Sequence, residues 1–127
     1  MECNKITQKL FICFQSAADL GNRDAIVAFS GCFFKGEGVD QDFRKAAFWC
    51  RKAADLGHAG AMYIYANYLY HGIGVRKNIE RAMYWYRKAA DLKYSDAMYT
   101  LGQSYLYGYG VKRTKVLLLT GFRRRLI

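Results

Sequence analysis

The sequence predicts an all-α protein, a right-handed α-solenoid (superhelix) of antiparallel helix pairs built on 36-residue repeats. Three observations carry this. The segments KGEGV, HGIGV and YGYGV recur at 36-residue intervals, placing glycine pairs at Gly36 and Gly38, at Gly72 and Gly74, and at Gly108 and Gly110. The same interval aligns AADLG at 17, AADLG at 53 and AADLK at 89. It also aligns Trp49 with Trp85, Ala46 with Ala82, and Val39 with Val75 and Val111. A period between about 20 and 50 residues is the mark of stacked helical or strand units, each too small to bury its own apolar face.

Length and composition agree. A chain of 127 residues, 53% hydrophobic and 17% aromatic, has the apolar surface to offset the entropy of ordering one domain. The formal charge of +10 suggests nucleic acid until its distribution is considered. Six of the 20 basic residues lie in the last 16 positions, which hold no acid, so the remainder carries only +4. No stretch approaches the roughly 20 apolar residues of a membrane span. The LFICF run after Lys5 and Lys9 is shorter than a signal-peptide core and leads directly into the repeat. The four cysteines, at 3, 13, 32 and 50, lack CxxC spacing and do not follow the period, which fits a reducing, cytoplasmic setting.

The units follow in order. Residues 1–24 form a partial first repeat, with residues 5–20 as a second helix lacking its partner and Cys13 at the tryptophan position. Full units span 25–60 and 61–96, and 97–127 is a repeat whose end departs into a basic, hydrophobic segment. In each unit the first helix is exemplified by AMYIYANYLYH (61–71) and AMYTLGQSYLY (97–107). The second is exemplified by NIERAMYWYRKAADL (78–92). There Ala82, Trp85, Tyr86, Ala89 and Ala90 share one face, with Arg81, Arg87 and Lys88 largely opposite. Asp42, Asn78 and Thr114 occupy one repeat position before that helix and suit N-caps. Gly21 and Gly57 suit left-handed C-caps, and Lys93 in the third copy predicts strain or a different turn. The alanines let helices approach, and Trp49 and Trp85 fill the space between units. The glycine pairs stand between two helices, not between a strand and a helix, so they read as structural turns with positive φ and not as a nucleotide cradle.

The pattern of alanine, a leucine-glycine pair, an aromatic, G-x-G-V and then A-x-x-W-Y-x-K-A-A resembles the Sel-one-like repeat, a branch of the tetratricopeptide-like solenoids. Ala97, Leu101, Gly102, Tyr105, Gly108, Gly110 and Val111 carry its first half, and Ala82, Trp85, Tyr86, Lys88, Ala89 and Ala90 its second. Ser30 and Ala66 replace the helix glycine, and Cys50 replaces the tyrosine. A cysteine-rich bacterial branch of that family carries a disulfide in each unit and has been associated with binding beta-lactams. This chain has Ala54 and Met62 at the corresponding positions, so that property does not transfer.

Resemblance to adaptor proteins of this family implies a non-enzymatic protein-protein interaction scaffold that holds a peptide or helix of a partner on the concave face. The first helices line that face. Repeat positions three, seven and ten give Val27, Gly31 and Phe34, then Tyr63, Asn67 and Tyr70, then Tyr99, Gln103 and Leu106. Tyr63, Asn67, Tyr70, Tyr99 and Gln103 are the candidate partner-binding residues, since tyrosine brings contact area at small entropic cost and amides satisfy a partner's backbone. Tyr63 and Tyr99 read equally as half-buried packing residues. Changing Asn67 and Gln103 to alanine is expected to weaken capture without lowering the melting temperature. An alternative is nucleic-acid or acidic-surface binding through the basic tail, supported by Arg76, Lys77, Arg81, Arg87 and Lys88, although such charge runs are more often a solvated helix face, and no specific nucleic acid is expected. No cofactor or metal is expected, and no catalytic motif is present. His58 and His71 read as solvated side chains. The tail has two readings, a capping helix with Leu118, Phe122 and Leu126 on one face, or sequence unrelated to the repeat. Open solenoid ends also allow self-association.

Overall fold

In a computed structural model, residues 2–108 are described. They form six helices: α1 (Glu2–Asp19), α2 (Arg23–Lys35), α3 (Phe43–Asp55), α4 (Ala59–His71), α5 (Ile79–Asp91) and α6 (Ser95–Tyr107). Each helix packs on the next in sequence, giving an α-solenoid of antiparallel pairs. Gly110, Val111, the Thr114 cap and the tail lie outside the described residues. Among the described residues no helix is long and apolar enough to cross a membrane.

The second helices start where their caps predict. The Asp42 carboxylate accepts the amides of Arg44 and Lys45 at 3.0 and 3.1 Å, and Asn78 Oδ1 accepts that of Arg81 at 3.0 Å. The first helices start two residues before the predicted Ala25, Ala61 and Ala97. Asn22 caps α2 by accepting the Ala25 amide, and His58 caps α4 through Nδ1, which accepts the Ala61 amide at 3.0 Å. The other imidazole nitrogen of His58 lies 3.1 Å from Asp24 Oδ1, in the first turn of α2. An Nδ1 that accepts leaves the proton on Nε2, so Nε2–H donates to Asp24 and ties adjacent units together. His58 is thus an N-cap and a bridge, not the free imidazole expected from the sequence.

Gly36, Gly72 and Gly108 end the first helices in the left-handed region, their amides donating to Cys32, Tyr68 and Ser104. The second glycine of each described pair is left-handed too. Gly38 has φ 74° and Gly74 φ 69°, so the bend between the two helices of a unit takes one shape in both copies. Gly38 is half-buried in the connection from α2 to α3, and no strand adjoins it, which leaves it the turn residue that the sequence predicts. At the ends of the second helices, Gly21 and Gly57 have φ of 87° and 92°, and Lys93 is forced into the same turn at φ 68°. The turn keeps its shape, and the lysine carries the strain. Lys93→Gly is therefore expected to stabilise the chain by about 1 kcal/mol, visible as a higher urea midpoint. An unchanged or lower midpoint would show that the lysine stem makes compensating contacts.

The core is an alanine seam with aromatic fillers. Ala46, Ala53, Ala82 and Ala89 are fully buried. Trp85 is 5% exposed, and Trp49 is half-buried. Their ring contacts repeat residue for residue and lie within each tryptophan's own helix pair, so the indoles pack inside a hairpin where the sequence predicts packing between units. Trp49 meets Phe29 and Phe48 edge-on at 5.0 and 5.5 Å, under Lys52 at 4.8 Å. Trp85 meets Tyr65 and Tyr84 at 5.7 and 5.5 Å, under Lys88 at 5.1 Å. Cys13, Cys32 and Cys50 are free thiols. Cys50 is buried against Ala61, whose carbonyl accepts its S–H at 3.3 Å, and burial pushes that thiol up to about 12.

Candidate functional site

The face of α2, α4 and α6 that carries the candidate residues divides into a knitted part and a free part. Tyr63, on α4, is half-buried. Its ring lies 5.6 Å from that of Tyr86 on α5 and 5.4 Å from that of Tyr94, which precedes α6. Its hydroxyl is 3.4 Å from Thr100 Oγ1, so it links one unit to the next. Asn67, one turn further along α4, is also half-buried, and its Oδ1 accepts the hydroxyl hydrogen of Tyr86. Burial, then the nearby hydroxyls of Tyr63 and Tyr70, pushes the Tyr86 phenol well above the usual range and keeps it a neutral donor to Asn67. Tyr70 is half-buried with its ring 5.1 Å from that of His71.

The structure thus gathers Tyr63, Asn67 and Tyr70 around Tyr86, a residue that sequence reasoning assigned to the core. Only the hairpin register, which sets α5 against α4, reveals that its hydroxyl reaches this face. The Asn67 amide oxygen is already committed to an internal bond. Changing Asn67 to alanine, alone or together with Gln103, is therefore expected to lower stability by about 1–3 kcal/mol by stranding the hydroxyl of the buried Tyr86, in contrast with the unchanged melting temperature expected from the sequence.

On α6 the arrangement is different. Tyr99 is 67% exposed, and its hydroxyl accepts a hydrogen bond from Gln103 Nε2 at 2.9 Å, one turn away. Gln103 is exposed as well. This pair offers a large aromatic surface whose orientation is fixed by a neighbour, together with a free amide carbonyl. The described face bears no formal charge at these five positions, so what it offers is apolar contact area and neutral hydrogen bonding.

Comparisons with known proteins agree with this architecture. The Sel1 repeat model matches residues 11–22, 27–58, 59–94 and 95–115. Among solved structures, the chain is similar to a Sel1 repeat protein from Oxalobacter formigenes, at 32% identity and a TM-score of 0.72 over 74% of this chain and 38% of that one. It is similar to c5321, a protective antigen present in uropathogenic Escherichia coli strains and displaying an SLR fold, at 29% identity and a TM-score of 0.77 over 81% of this chain and 22% of that one. It is also similar to Helicobacter pylori cysteine rich protein B, at 32% identity and a TM-score of 0.69 over 72% and 68% of the two chains. The chain spans 38% and 22% of the length of the first two structures. A search of curated proteins found no match. With four successive stretches matched, and with paired helices, recurring caps and a repeated tryptophan environment in register with them, the chain belongs to the Sel1 repeat family.

Proposed function

We propose that this chain is a non-enzymatic scaffold that holds an extended peptide or a helix of a partner protein on the face lined by α2, α4 and α6. Sel1 repeats are in general scaffolds for protein-protein contact, which gives the class of partner. The observation that carries the reading is the exposed Tyr99 held by Gln103. A tyrosine with two-thirds of its surface in water contributes little to folding, yet suits an interface, where a pre-oriented ring gains contact area at small entropic cost. Tyr63 and Asn67, tied to Thr100 and Tyr86, together with Tyr70 would supply a stiffer part of the same face.

Peptide-library display against the full chain tests this. Peptides enriched by the natural sequence are expected to lose about tenfold or more in affinity for the Tyr99→Ala/Gln103→Ala variant, the cost of removing one anchoring aromatic. Both positions are exposed, so the stability change is expected to stay within about 0.5 kcal/mol. Enriched peptides that bind the double variant as tightly as the natural chain would overturn the assignment.

A further inference from the structure

The corner where α4 gives way to α5 is more cationic than its counterpart in the preceding unit, although Arg44 there is replaced by Glu80 here. The preceding corner carries Asp40, Gln41, Asp42 and Lys45 beside Phe29. The same repeat positions in the next unit hold Arg76, Lys77, Asn78 and Arg81 beside Tyr65. Over the whole corner, residues 40–45 hold two carboxylates and two cations, a net of 0, and residues 76–81 hold three cations and Glu80, a net of +2.

The preceding corner engages most of its polar groups internally, Asp40 excepted. The Asp42 carboxylate takes two amides of α3, Gln41 Nε2 donates to the Phe34 carbonyl at 2.8 Å, and Lys45 Nζ lies 5.6 Å from the centre of the Phe33 ring. The later corner does not. Among the described residues Arg76, Lys77 and Arg81 have no carboxylate within ion-pair distance. Asn78 accepts only the Arg81 amide, which leaves the amides of Ile79 and Glu80 without a capping acceptor at the positive end of a 13-residue helix.

A cleft of about 500 Å³ opens there, walled by Tyr65, Leu69 and Val75 and rimmed by Asn78 and the three cations. Glu80 does not line it. Tyr65 is only 4% exposed, yet its hydroxyl has no hydrogen-bond partner among the described residues and is not sealed from solvent. A phenol whose ring is buried while its hydroxyl reaches solvent can give its hydrogen bond to a ligand oxygen in place of water. Phe29 at the equivalent position packs against its own tryptophan without a hydroxyl, so packing does not require the one on Tyr65.

We infer that this cleft binds a phosphate monoester carried on an apolar stem. A phosphate monoester supplies about two negative charges and three acceptor oxygens, enough to engage two guanidinium forks, an ammonium, a phenol and a helix N-terminus. A carboxylate has half the charge and two oxygens, and would leave several of these donors unused. Leu69 and Val75 provide the apolar wall for the stem. The site is separate from the α6 pair, so the two proposals stand or fall independently.

The test is an amide-resolved NMR titration of the full chain at about 0.15 M salt, where weak surface attraction is screened. The probes are phenyl phosphate, inorganic phosphate and benzoate. Phenyl phosphate is expected to shift the amides of Ile79 and Glu80 saturably, and to bind about tenfold or more tightly than benzoate, reflecting the extra charge and acceptor. Tyr65→Phe, which installs the ring of the preceding unit, is expected to weaken it about three- to tenfold with the fold intact. Arg76→Asp/Lys77→Gln, which rebuilds the preceding corner, is expected to abolish the shifts while circular dichroism stays unchanged. A phosphotyrosine peptide that binds more tightly than phenyl phosphate would identify a phosphorylated chain as the source, and equal binding a small ester. Shifts that survive the double variant, that fall only on amides elsewhere, or that benzoate reproduces at equal affinity would overturn the inference.

Discussion

Replacing Gly74 by alanine is expected to destabilise the chain by about 3 kcal/mol or more, because two separate costs fall on one atom. Gly74 has φ 69°, where an alanine gives up roughly 1–2 kcal/mol to contact with its own carbonyl. The added Cβ would also stand 2.1 Å from the carbonyl oxygen of Phe43 and 2.4 Å from its carbon. Both are backbone atoms in the first turn of the preceding unit's α3, so no rotamer change can relieve the overlap. The loop must lift away from that helix, and the contact between units is what a solenoid depends on.

Neighbouring glycines give the comparison its force. Gly72 has φ 72°, but the nearest atom to an added Cβ is Lys77 Cβ at 3.2 Å, so Gly72→Ala is expected to cost little more than the backbone term. Gly31 lies inside α2 with nothing within 4 Å of the added atom. There alanine is expected to be neutral or stabilising by up to about 1 kcal/mol. Urea denaturation of the three variants separates the terms. Equal losses at Gly72 and Gly74 would show that the approach to Phe43 relaxes without cost.

Much of this architecture is legible because a repeat presents the same environment several times. Asp42 and Asn78 announce their helix starts by recurring 36 residues apart, and Trp49 and Trp85 announce a shared seam in the same way. What the repeat cannot announce is a contact made by a residue that changes between copies. His58 occupies the position of Asn22 and Tyr94, and its capping role depends on one ring nitrogen facing Ala61 while the other reaches Asp24 in the previous unit. Asn67 reads as a free amide until the hairpin register brings the Tyr86 hydroxyl against it. The second glycine of each pair reads as a bend, which Gly38 and Gly74 both make, and only the stacking of units shows that Gly74 also makes room for a neighbouring backbone. The repeat register therefore makes legible which positions along the first helices fall on one face. The division between the knitted Tyr63 and Asn67 and the free Tyr99 and Gln103 was not legible, because it depends on side chains from the second helices.

Trp85→Ala is the other change with a large expected effect, a loss of about 3–5 kcal/mol, comparable with a substantial part of the stability of a domain this size. The indole is 5% exposed and fills the gap that the fully buried Ala82 and Ala89 leave between α4 and α5. Those alanines are already the smallest residues that keep the helices in contact, so they cannot grow into the cavity, and the aromatic edge of Tyr65 would face a void. Trp49 holds the same place one unit earlier but is only half-buried, so Trp49→Ala removes less area from a protected site and is expected to cost visibly less. The removal of Lys88 from its ring adds about 0.5–1 kcal/mol in one case, and that of Lys52 a similar amount in the other, so the cation contacts do not account for the difference. Because each variant loses one of two fluorescent indoles, unfolding should be followed by circular dichroism at 222 nm, a wavelength set by helix content. The ordering Trp85→Ala well below Trp49→Ala in stability follows from burial alone. Equal losses would mean that the two units share their aromatic contacts more evenly than their exposures indicate, and that the seam, not the individual tryptophan, is the unit of stability.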